Sequence, residues 1–92
     1  MYNSSETKTF SDLSIGEQEF LLNWISENFL PTQDINFKHS DYGLKQKFSR
    51  LHFYVTAKQF SEAMIIAGFA FKEIHNGHKS FNISQKSPFF NL

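Results

Sequence analysis

The chain has 92 residues with twelve Phe, three Tyr and one Trp, no cysteine, and nine acids balanced by nine Lys and Arg. It is expected to form one small domain held by aromatic packing. Disulfides and thiolate metal centres are excluded, and no stretch reaches the roughly 18 apolar residues of a membrane span, so a cytoplasmic protein is expected. The zero net charge hides a division: residues 1–34 carry six acids against Lys8, and residues 35–92 carry eight bases against Asp41, Glu62 and Glu73. A dipolar domain with a basic side able to meet phosphate is therefore expected.

Residues 1–12 are polar, rich in Ser and Thr, and lack a period, which predicts a flexible arm with only Phe10 docking. Ser14 and Glu17 are spaced as a capping box and open a first helix with Phe20, Leu21, Trp24, Ile25 and Phe29 at helical intervals. Pro31 ends it. Residues 32–39 read as a connection in which Ile35 and Phe37 alternate, as in a brief pairing with a sheet edge. Ser40 predicts an N-cap and Asp41 suits the first turn of a second helix, with Leu44, Phe48 and Leu51 buried and Lys45, Lys47 and Arg50 on the solvent side.

The β-prone run from His52 to Val55 predicts a short strand that passes directly into a third helix. Thr56 and Gln59 cap that helix, Phe60, Ala63, Met64 and Ala67 form its inner stripe, and Gly68 ends it in a left-handed turn. A hairpin follows. A two-residue turn at Asn76-Gly77 would scramble its apolar face. A three-residue loop, His75 to Gly77, instead pairs Phe71 with Phe81, Phe69 with Ile83 and Glu73 with Lys79. The expected fold is α+β, a winged helix-turn-helix of three helices, a short strand before the third, and a C-terminal hairpin wing, spanning residues 13–84. Residues 85–92 form an aromatic tail, expected to fold back on the domain because three large apolar groups would otherwise lie in water, with capture by another protein as the alternative.

The pattern Tyr42-Gly43-Leu44-Lys45, Phe48, Phe53-Tyr54-Val55-Thr56, Gln59-Phe60, Ala63-Met64, Ala67-Gly68-Phe69 and Phe81-Asn82-Ile83-Ser84 resembles small proteins of phages and mobile elements of low-GC Gram-positive bacteria. More loosely, it is similar to the winged-helix module of phage primase-helicases. The resemblance covers about residues 35–88. It implies a role in DNA metabolism or host takeover inside a bacterial host cell, and it transfers no residue role.

No enzyme is expected, because the four glycines are scattered and neither a nucleophile elbow nor a carboxylate pair occurs. His75 and His78 frame the hairpin turn, but a zinc site needs three or four ligands, so no metal and no cofactor are expected. Two functions follow. In the first, the third helix and the wing bind duplex or single-stranded DNA with weak sequence preference, through Lys45, Lys47, Arg50, Lys58, Gln59, Ser61, Lys72, His78 and Lys79. Stacking of single strands on Tyr42 or Tyr54 belongs to the same reading. In the second, the chain is an inhibitor or adaptor that binds a protein through Ile65, Ile66, Phe89 and Phe90, acting on a host or viral nucleic-acid enzyme. Monomer and homodimer both remain open.

Overall fold

The computed structural model describes residues 7–92, and in it the capping sites of all three helices form as their spacing predicts. Helix α1 (Ile15–Asn28) begins at Ser14, whose Oγ accepts from Glu17 N–H while the Glu17 carboxylate accepts from Ser14 N–H. Helix α2 (Asp41–Leu51) starts at the Ser40 cap. Helix α3 (Ala57–Ile66) has the full Thr56–Gln59 box. Its end is a Schellman motif: Phe69 N–H donates to Met64 C=O, Gly68 N–H donates to Ile65 C=O, and Gly68 takes φ +99°.

A two-stranded antiparallel sheet completes this small α+β domain. Strand β1 (Phe71–Glu73) pairs with β2 (Lys79–Phe81) in the expected register, Phe71 with Phe81 and Glu73 with Lys79. At the tip, His78 N–H donates to His75 C=O, and both Asn76 and Gly77 take positive φ, so the left-handed backbone covers one residue more than expected. The ladder does not extend to Phe69 and Ile83. Ile83 instead bridges to Pro31, and Thr32 N–H and Asn36 N–H donate to the carbonyls of Asn82 and Phe81. The connection after α1 thus occupies the second side of β2.

That occupation explains why residues 53–55 form no strand. They run extended, with Val55 N–H donating to Ser49 Oγ, and the side of β2 that a strand there would pair with is held by residues 30–36. The core gathers Leu21, Trp24 and Ile25 of α1, Leu44 and Phe48 of α2, Phe60, Ala63 and Met64 of α3, and Phe81 and Ile83 beside the sheet. Trp24 stands edge-on to Phe48, Phe60 and Phe89. Leu51, expected in the buried stripe, is exposed because it lies on the flank of α2 beyond Leu44 and Phe48, and Phe20 is half-exposed over Phe48, His52 and Phe53.

Residues 8–12 and the C-terminal residues are built into this body. The C-terminal residues turn through a 3-10 helix, Pro88–Asn91, that stacks Phe89 on Phe29 at 4.8 Å between ring centres. Ser87 is buried, and its Oγ accepts from Leu30 N–H. At the other end, residues 1–6 of the expected arm lie outside the described residues. The rest is docked: a short 3-10 turn at Phe10–Asp12 rests on α3 with Phe10 buried. Thr56 Oγ1 donates to Lys8 C=O, Gln59 Nε2 to Thr9 C=O, and Phe10 N–H to the Glu62 carboxylate at 2.7 Å.

Candidate functional site: the groove between α3 and the hairpin

Helix α3 presents two unlike halves to its surroundings. In the first half, Gln59 is buried between its own cap and Thr9, and Ser61 is buried against α2, where its hydroxyl donates to Asp41 at 2.6 Å. Both were expected to read base edges, and neither is free to do so. The reason is long-range. Residues 8–12 and the first turn of α2 cover a helical face whose polar sequence suggested solvent. Lys58 alone of the three expected readers on α3 is exposed. Ile65 and Ile66 in the second half are 39% and 57% exposed.

The exposed stripe of α3 faces the hairpin across a groove of about 490 Å³. Lys58, Glu62 and Ile65 line the helix wall, Glu73, His78 and Lys79 line the hairpin wall, and Asp41 and Ser61 form the floor. Asp41 is 3% exposed, an unusual burial for the first turn of a helix. Its second oxygen meets His78 Nδ1 at 2.8 Å, so one carboxylate joins α2, α3 and the hairpin tip. Lys79 faces Glu73 at 4.0 Å. Charges of both signs therefore alternate around the groove. A wider hollow of about 580 Å³ runs between residues 32–38 and 83–85, where the Asn36 and Gln85 side chains bond each other.

The remaining cationic residues are distributed around the fold. Lys45 is 5% exposed, with its ammonium 4.5 Å from the Tyr54 ring centre and 5.2 Å from that of Tyr42. This overturns its expected place on the solvent side. The stem fills the space beside the 53–55 segment, and the charge rests on the aromatic faces. Lys47, two residues on and so about 200° around the helix, donates to Phe89 C=O on the opposite flank. Arg50 and Lys72 are exposed, the latter on the hairpin face opposite the one Glu73 turns to the groove. Lys58, His78 and Lys79 are the members of the expected basic set that the fold brings together.

Of the expected partner-binding residues, Ile65 and Ile66 are exposed as anticipated. Phe89 is 5% exposed in the core, which corrects its assignment to a partner surface, and Phe90 is half-buried against the His39 ring at 4.5 Å. The Asp41 floor is the feature that the sequence reading missed. Its signal was faint: an acid in a first turn, a serine on α3 and a histidine at a turn, each ordinary alone. No helix among the described residues is long and apolar enough to cross a membrane. Comparison with protein-family models, curated proteins and solved structures found no match.

Proposed function

We propose that the chain is a non-enzymatic protein-binding module of winged-helix type, docking its partner along the α3–hairpin groove with Ile65 and Ile66 as apolar anchors. The observation that carries this reading is the contrast within α3. Gln59 and Ser61, the polar groups that would read bases, are consumed by internal hydrogen bonds, while Ile65 on the wall of a groove lined by charges of both signs, and Ile66 next to it in the chain, stay in water. Protein interfaces favour aliphatic and aromatic anchors at their centre and leave charges to the rim. The order of three helices and a hairpin supports the winged-helix assignment, with the 30–36 segment replacing residues 53–55 beside the sheet. The non-enzymatic part rests on the sequence, which holds neither a nucleophile elbow nor a glycine-rich phosphate loop.

An inhibitor or adaptor acting on a host or viral nucleic-acid enzyme fits this surface and the phage-like resemblance. Capture on the immobilised chain from a host-cell extract, followed by rebinding of the purified partner, tests it. Ile65→Asp is expected to abolish rebinding with the fold intact. A partner held equally well by Ile65→Asp overturns the reading. DNA binding is the second reading, and the observation in its favour is that Lys58 and Lys79 stand on opposite walls of one groove.

A further inference from the structure

Among the described residues, nothing pairs with one edge of the hairpin. Asn82 N–H donates to Ala70 C=O and Ile74 N–H donates to His78 C=O, so residues 70, 72 and 74 turn their backbone groups toward β2. By alternation, the N–H and C=O groups of Phe71 and Glu73 point away from it, and all three residues of β1 are exposed. The other side of β2 is already taken by residues 30–36. An unpaired edge of this kind is a template for an added strand.

Resting on the protein-binding reading above, we propose that the occupant of the groove is an extended peptide segment of the partner, which adds an antiparallel strand to β1. The side chains around the edge define its character. Phe71 and Glu73 share the face turned to the groove, where Ile65 and Glu62 line the opposite wall, and Lys72 lies on the reverse face. The residue opposite Glu73 meets two carboxylates and is best basic. The next, opposite Lys72, is best acidic. The third, opposite Phe71, is best apolar and β-branched. Read from its N-terminus, the segment is basic, acidic, apolar. A second copy of the chain suits the edge poorly, because the two-fold pairing that uses both Phe71 and Glu73 sets Lys72 directly against its own symmetry mate.

The probe is a synthetic peptide with a central lysine, glutamate and valine flanked by threonines, titrated into the full chain and followed by amide and methyl resonances. Saturable binding is expected, with slowed exchange at the Phe71 and Glu73 amides. Exchanging the peptide's lysine and glutamate is expected to weaken it about tenfold. N-methylation of the two peptide amides that face β1 is expected to abolish binding, as is Glu73→Pro, which removes an outward N–H and leaves the ladder to β2 in place. No binding at about 1 mM peptide, or equal binding of the N-methylated peptide, overturns the added strand. Protection of the same amides by self-association without peptide assigns the edge to a second copy and equally overturns it. Shifts of the Ile65 and Ile66 methyls without protection at Phe71 and Glu73 overturn the strand alone and leave the groove as a protein-binding surface. Failure of that wider reading shows separately, in the rebinding test with Ile65→Asp.

Discussion

The two halves of α3 differ in what holds them. The first half is enclosed by elements distant in sequence: residues 8–12 lie over Thr56 and Gln59, α2 supplies Asp41 to Ser61, and Phe60 is fully buried between α1 and α2. The second half keeps Ala63 and Met64 in the core but leaves Ile65 and Ile66 outside. Polarity is inverted relative to exposure, since the buried half holds the glutamine and serine and the exposed end holds the isoleucines. The buried polar groups are compensated by their hydrogen bonds, while the exposed isoleucines keep an apolar surface in water that a partner could cover.

Substitutions at the two ends break that comparison apart. Phe60→Ala is expected to have the largest effect, a loss of about 3–5 kcal/mol in urea unfolding, from transfer plus the cavity left beneath Trp24. Asp41→Ala is next, at about 2–3 kcal/mol, since it leaves the buried Ser61 hydroxyl without its acceptor and frees the hairpin tip from α2. Thr56→Ala removes the cap and its bond to Lys8 for about 1 kcal/mol. Ile66→Ala, at the open end, is expected to stay within about 0.5 kcal/mol of the parent, so any loss of partner binding there is a surface effect.

The smallest effect is a pH dependence at the docked arm. Hydrogen bonds from the Thr9 backbone N–H, and then from its hydroxyl, hold the exposed Asp12 carboxyl below the usual carboxylate range. A depressed folded value means that the contribution is complete above the unfolded pKa, about 3.9, and is lost as pH falls through the folded one. The protection of the Thr9 amide, measured relative to its intrinsic exchange rate, is therefore expected to fall in acid below about pH 4, and Asp12→Asn to remove that dependence.

What was legible in the sequence was what depends on neighbours along the chain. Caps three residues apart, the Gly68 terminus and the hairpin register from Phe71–Phe81 to Glu73–Lys79 follow from local bonding and alternation and formed as read, whereas the expected Phe69–Ile83 pair did not. Asp41 stands in the first turn of α2 as expected, but its burial, like that of Lys45, Gln59 and Ser61, is imposed from elsewhere, by Tyr54, Thr9 and His78, and no periodicity reports such contacts. The run 53–55 has strand composition without a strand, because pairing needs an open edge and the 30–36 segment took the one beside β2. Phe89 entered the core through an irregular 3-10 turn that carries no helical or strand period. The groove is legible only in part, since Lys58, His78, Lys79 and Ile65 are named and Glu73 is paired with Lys79, but Asp41 is not joined to them.

Whether that balance decides the partner is tested most directly by titrating duplex and single-stranded DNA into the chain at two salt concentrations. With Lys58 and Lys79 facing Glu62, Glu73 and Asp41, no salt-sensitive binding is expected. An affinity whose logarithm falls with log salt, at about 0.9 per phosphate neutralised on duplex DNA, and which flattens in Lys58→Ala and Lys79→Ala, would contradict the account and assign the groove to nucleic acid.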